Sequence, residues 1–215
     1  MPQLFSPSAT LLVRLAVLAA VFGIVAISAV LAQRAAAPAR AGVAVEQPIP
    51  FSHKHHVGDV GLDCRYCHTS VETARTAGMP SSAICLSCHS QLFKDAPMLA
   101  PLHASVESGT PISWQRVHDL PVFVYFDHSI HVTKGVACVS CHGRVDQMPV
   151  MMRNQPLDMS WCIECHRAPE RRVGRPDQVF SMQPEPISES EIQQLLAIFN
   201  LEKKTRMTDC STCHR

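Results

Sequence analysis

The sequence predicts a mainly α fold with much irregular structure: one N-terminal transmembrane helix, then a small domain of two repeated modules and a C-terminal unit. Three observations predict it. Residues 15–32 carry no charge and are dominated by Ala, Val, Leu and Ile. The pattern Cys-x-x-Cys-His occurs five times, at residues 64–68, 85–89, 138–142, 162–166 and 210–214. The first and third copies are each preceded by Phe-x-His-x-x-His and followed by another copy, so the middle of the chain repeats itself.

The apolar stretch comes first. Its eighteen residues approach the ~20 that cross a bilayer core as a helix. Adding residues 10–13, with Arg14 snorkelling to the near interface, makes the span comfortable. A cleaved signal peptide is the competing reading, because Val30, Leu31 and Ala32 resemble a small-residue cleavage site. The stretch is longer than the roughly 7–15 apolar residues of such a signal, which favours an anchor over residues 1–34. Arg14 on one side and Arg34 and Arg40 on the other leave the positive-inside rule nearly silent. Residues 35–50 form a linker; its stretch 35–45, rich in Ala, Pro and Gly, is expected to be extended and poorly packed unless a partner covers it.

The repeated pentapeptide is the c-type haem attachment signature. Two thiols add across the two vinyl groups of one porphyrin, and the adjacent His falls under the iron as its proximal ligand. All ten cysteines of the chain lie in these motifs. A disulfide framework has no reason to place His after every second Cys. Zinc sites need paired Cys-x-x-Cys knuckles, and an odd number leaves one unpaired. No βαβ pattern surrounds any motif, so a thioredoxin-like site is excluded. The sequence therefore implies five covalently attached haems c. The attaching thiols are Cys64, Cys67, Cys85, Cys88, Cys138, Cys141, Cys162, Cys165, Cys210 and Cys213. The proximal ligands are His68, His89, His142, His166 and His214. Thioether attachment belongs to the non-cytoplasmic face of a bacterial inner membrane. The N-terminus is thus expected in the cytoplasm and the haem domain in the periplasm or extracytoplasmic space.

The modules follow from spacing. Residues 51–101 form a first diheme module, 102–125 a connector, 126–175 a second diheme module, and 176–215 a helix and fifth haem. The whole, 51–215, is a pentahaem cytochrome c domain. Only 6% of residues are aromatic while 16 are Pro, as suits loops wrapped on porphyrin faces that supply the apolar core. A net charge of +1 and no long charged run give no sign of nucleic-acid binding.

An electron-transfer haem needs a distal ligand, and neutral imidazole serves. In Phe-x-His-x-x-His the two His lie three apart on one face of a helical turn, so they reach two different irons. His53 is the distal candidate for the haem at Cys64, and His128 for that at Cys138. His56 and His131 serve irons elsewhere in the stack, within or across modules. His118 is the best fifth candidate. His55 points off the ligating face, and His103 lies in the connector. Met148 is the choice if one iron takes a thioether, although most Met residues fill core gaps. Arg167, Arg171, Arg172 and Arg175 suit a propionate clamp, a docking surface or an ordinary solvated loop. Ser188 and Glu191 form a capping box opening a helix over residues 188–204. Ile192, Leu195, Leu196 and Phe199 lie at helical spacing, with Lys203 and Lys204 in the last turn. The apolar face of this helix is expected against haems or a partner.

Several stretches together resemble one family. They are the N-terminal span, the two modules, the run Arg116-Val117-His118-Asp119-Leu120-Pro121 leading to Tyr125-Phe126-Asp127-His128, and Met159 to Arg167 around the fourth motif. The chain is similar to the pentahaem cytochrome c subunit of bacterial alternative complex III, and more broadly to small multihaem periplasmic cytochromes. The resemblance implies a membrane partnership with an iron–sulfur subunit, quinol-site membrane subunits and a monohaem cytochrome c. It implies an electron-relay subunit of a quinol:electron acceptor oxidoreductase with no substrate site of its own. The alternative is a small multihaem quinol dehydrogenase feeding a periplasmic reductase.

Overall fold

The structure, a computed structural model, describes residues 6–36, 41–201 and 204–214. Residues 1–5 of the expected anchor, Arg40 and Lys203 lie outside the described residues, as do the side chains of Arg34 and Lys204. The chain divides into two compact units, residues 1–40 and 41–215.

In the first unit, helix α1 spans Pro7–Ala36, two residues beyond the expected anchor. Its 30 residues extend about 45 Å at 1.5 Å per residue. The window within Pro7–Gln33 has a mean hydropathy of 2.8 and none of it is buried. A helix apolar on every side has no water-facing stripe, and this one is long and apolar enough to cross a membrane.

The second unit is built of short helices joined by irregular chain. They are α2 (Cys64–Cys67), α3 (Ser82–His89), α4 (Ala100–Ser108), α5 (His128–Thr133), α6 (Val139–His142), α7 (Met159–Arg167), α8 (Glu189–Ile198) and α9 (Cys210–Cys213). Several begin where a short polar side chain replaces the missing helical acceptor. Asp63 accepts the Arg65 N–H at 2.8 Å, Asp127 that of Ser129 at 2.9 Å, and Asp158 that of Trp161 at 2.8 Å. Among the described residues there are no strands. Isolated antiparallel bridges join Ala44 to Met152, Val124 to His214 and Val136 to Val173, tying distant segments to the neighbourhood of the motifs.

Among the described residues, buried apolar side chains gather in two small clusters, with Val71, Val145, Met148 and Val179 buried outside them. Ile49, Leu99 and Leu102 pack with Cys85, Leu86 and Trp114, holding α4 against the motif helix α3. Val173, Leu195 and Leu196 pack with Ile187, Ile192, Phe199 and Leu201. The two modules are stitched through a π-helical turn, Lys54–Asp59. The Lys54 N–H donates to the Met148 carbonyl at 3.0 Å. A Cβ on Gly58 would lie 2.4 Å from the Asp146 carbonyl oxygen, so only glycine permits this approach.

Three expectations are corrected. The linker does not stay loose to residue 45. Gly42 and Val45 donate to Arg153 and Met151 at 2.7 and 3.3 Å, and Ile49 is buried, because carbonyls of the 151–153 segment pair with this backbone. The C-terminal helix stops at Ile198, not residue 204. Asn200 takes a left-handed conformation at φ 55°, while Leu201 donates to Leu196 at 2.8 Å and Asn200 to Ala197 at 3.0 Å. This is a Schellman termination, which Asn tolerates. The apolar face of α8 packs into the second cluster of the domain's own side chains, which includes Val173. The capping box is half formed. The Ser188 hydroxyl accepts the Glu191 N–H at 3.3 Å, whereas the Glu191 carboxylate lies 3.9 Å from Arg175.

Candidate functional site

Each Cys-x-x-Cys-His sits on or beside one helical turn. The His68, His142 and His214 N–H groups donate to the Cys64, Cys138 and Cys210 carbonyls, each at 2.9 Å. Positions i, i+3 and i+4 of a helix share a face, so both thiols and the imidazole of a motif point the same way. All ten thiols are free.

The histidines are held in one tautomer. A carbonyl oxygen only accepts, so a ring nitrogen bonded to it carries the proton and leaves the other nitrogen bare. The Nδ1 of His68 donates to Gly78 at 2.7 Å, that of His89 to Leu92 at 3.0 Å, that of His166 to Met207 at 2.7 Å and that of His214 to Phe123 at 3.2 Å. The same holds for His56 on Ser52 at 2.9 Å, His128 on Arg75 at 3.0 Å and His131 on Asp127 at 2.7 Å. Seven imidazoles thus present a bare Nε2, with a backbone acceptor of the kind that orients metal-binding histidines.

The rings then meet in opposed pairs. The centroids of His56 and His89, of His128 and His142, and of His131 and His166 are each 6.2 Å apart. Two imidazoles with their nitrogens about 2.0 Å from one central metal ion place their centroids about 6 Å apart. Each pair unites one Phe-x-His-x-x-His histidine with a motif histidine of its own module. The phenylalanines set the orientation. Phe51 stacks on His56 at 4.4 Å and 23° and meets His53 edge-on at 4.9 Å. Phe126 stacks on His131 at 4.5 Å and 26° and meets His128 edge-on at 4.9 Å. The sequence repeat is therefore a geometric repeat; the phenylalanine recurs in it, but its stacking role emerges only from the structure.

Burial keeps the central rings neutral, as ligation requires. Desolvation lowers His142 to about 3, with the neighbouring His118, His128, His68 and His53 adding to it. Desolvation lowers His53 to about 4, helped first by His68. It lowers His118 to about 4, helped by the Arg153 charge and His128. His53 thus lies within electrostatic reach of His68. His118 has a buried Nε2 with no partner, but its ring is 4.3 Å from that of His142, too close for one metal between them. It does not stand over the fifth motif, where Phe123 faces His214 at 5.9 Å. His103, set aside in the sequence, also has a buried, unpartnered Nε2. His55 is exposed, 3.7 Å from Asp59. Met148 is buried at 4% exposure.

The thiols fall into a series. Cys67 is pushed up by burial and then by the neighbouring Cys85 and Cys64 thiols, and the Tyr66 and Ser87 hydroxyls bond at 2.7 Å across the same contact. The Cys64 and Cys138 thiols shift each other, Cys64 downward and Cys138 upward, and so are neighbours. Burial pushes Cys141 up to about 11, with Cys165 and Cys162 adding to it, and Cys162 in turn feels Cys213. The order in space is second, first, third, fourth, fifth motif. Of the arginine run, Arg175 pairs with Glu185, while the Arg172 charge acts on the thiols of both Cys141 and Cys165. Arg171, Arg172 and Arg175 line a cavity of about 200 Å³ that reaches Ser140 of the third motif.

Opposed imidazoles beside paired thiols fit covalently bound haem c, and they define the chain as a multihaem cytochrome c. The family described as cytochrome c7 and related cytochrome c matches residues 49–106 and 124–215, most of the chain, which belongs to that family. A relative in Nitratidesulfovibrio vulgaris, the multiheme cytochrome c subunit of a menaquinone reductase, is 38% identical over 150 residues, 60% of this chain and 71% of that one.

Proposed function

We propose that this chain is a membrane-anchored pentahaem electron-relay subunit of a quinol-oxidising complex, of the kind the resemblance to alternative complex III implies. Its partners are then an iron–sulfur subunit, quinol-site membrane subunits and a monohaem cytochrome c acceptor. The contiguous series of five motifs carries the proposal. Thiols of motifs adjacent in the spatial order are neighbours, so groups bound there would form one conducting row. Bound haem c supplies one-electron acceptance and donation at its iron.

The chain's own residues do the rest. The ten thiols would hold the groups covalently, and each motif histidine would supply one nitrogen to an iron. His53, His56, His128 and His131 would supply further nitrogens in the two diheme modules, with the Nδ1 bonds of the last three holding their rings. His118 and Met148 stay candidates for a remaining position. Burial of His142, His53 and His118 excludes water and protons from the middle of the row. Helix α1 anchors the subunit in the bacterial inner membrane, with the domain on the periplasmic side.

The relative favours a second reading, in which the row runs the other way, carrying electrons from a periplasmic redox enzyme to a menaquinone reductase. Rapid mixing of the membrane complex with a reduced menaquinol analogue separates the two. Reduction of the haems within turnover time supports quinol oxidation. Haems that remain oxidised with quinol but pass electrons from a periplasmic donor to a menaquinone analogue support the second reading.

A further inference from the structure

Arg153 is a buried arginine with no carboxylate against it among the described residues. It is 7% exposed, and its Nε is buried with no hydrogen-bond partner. Other arginines lie on carboxylates: Arg65 on Asp63, Arg116 on Asp119, Arg144 on Asp146 and Arg175 on Glu185. A guanidinium does not lose its proton in a protein. Burying its charge unpaired is strongly unfavourable, so an anion belongs at this place.

The surroundings identify the anion. The side chain of Asn154 occupies the space where a Cβ on Gly143 would stand, 2.6–2.8 Å away. Residues 153–154 therefore lie against the residue that follows His142. On the other side, the Arg153 charge reaches His118, whose ring touches His142 at 4.3 Å. The backbone of Arg153 is tied down by the Gly42 N–H at 2.7 Å. We infer that Arg153 holds a propionate carboxylate of the haem c attached at Cys138 and Cys141. Guanidinium and carboxylate match in a two-pronged geometry, and a fixed positive charge beside a haem favours its reduced form.

The inference rests on the haem-bearing reading of the third motif, and the test keeps the two apart. The holoprotein is prepared as wild type, Arg153→Gln and Arg153→Lys. Haem content is read from intact mass, and midpoint potentials from redox titration at several pH values. With Arg153→Gln, one potential falls by about tenfold in its reduction equilibrium, 59 mV for a one-electron couple, and gains a pH dependence as the propionate begins to titrate. The other potentials stay in place, and Arg153→Lys, which keeps the charge but not the two-pronged contact, shows a smaller fall of the same potential. Added phosphate or chloride leaves the wild-type potentials unchanged, which separates a haem carboxylate from a free anion. Full haem content with every potential unmoved in Arg153→Gln overturns the inference. If Arg153→Gln does not accumulate, Arg153→Lys must still displace one potential through the lost two-pronged contact, and no displacement overturns it. Wild-type protein lacking haem at Cys138 and Cys141 overturns the underlying reading instead.

Discussion

Phe126 governs two candidate ligands, so Phe126→Leu is a sharp test of the module. Its ring stacks on His131 at 4.5 Å and meets His128 edge-on at 4.9 Å. Each aromatic contact contributes about 0.5–1.5 kcal/mol beyond area burial, so the two together contribute about 1–3 kcal/mol. Leu keeps most of the volume and removes both ring contacts. Every 1.4 kcal/mol is about tenfold in an equilibrium, so the fraction of rings turned out of position rises by about 5- to 140-fold. His131 opposes His166, and His128 opposes His142. Two haem signals should therefore change in low-temperature EPR while the others keep their g values. Phe51→Leu should change the complementary pair in the first module. Equal disturbance of every signal, or of none, would refute the reasoning.

Other outcomes follow from the same contacts. Arg75 donates to the Phe126 carbonyl at 3.0 Å and lies 3.8 Å over the Tyr125 ring, so Arg75→Met should cost about 2 kcal/mol in urea unfolding. Asn200 sits at φ 55°, so Asn200→Ala should destabilise by about 1 kcal/mol while Asn200→Gly is neutral or better by the same assay. His142, His53 and His118 are lowered to about 3, 4 and 4. Below pH 6.5 the unfolded chain binds protons that the folded chain refuses, so stability should fall from there toward pH 4. Unfolding midpoints that rise over this window would contradict the burial of these rings. Removal of residues 1–40 should move the domain from the membrane to the soluble fraction, as cell fractionation reads directly.

What the sequence made legible was local. Cys-x-x-Cys-His and Phe-x-His-x-x-His encode geometry within five or six residues, and the apolar run encodes α1 by length and composition alone. The start of α8 was legible because Ser188 is a local cap. Its end was not, because Asn200 entering the left-handed region depends on the carbonyls of Leu196 and Ala197 being presented to it. Long-range pairings were invisible for the same reason. Nothing near residue 42 announces that it will pair with Arg153, and nothing near Met207 announces a bond to His166, 41 residues away. The thiol order depends on how the modules dock through Gly58 and Asp146. Arg153 reads as an ordinary arginine until its burial is known.

The central claim is a row of five haems with two axial ligands wherever the rings are opposed. Low-temperature EPR during a stepwise redox titration of the membrane complex tests it most directly. The account predicts low-spin haems only, titrating over a spread of potentials, with magnetic coupling between neighbours in the row. A high-spin haem that binds added ligands would contradict it and make this chain an enzyme with its own open site.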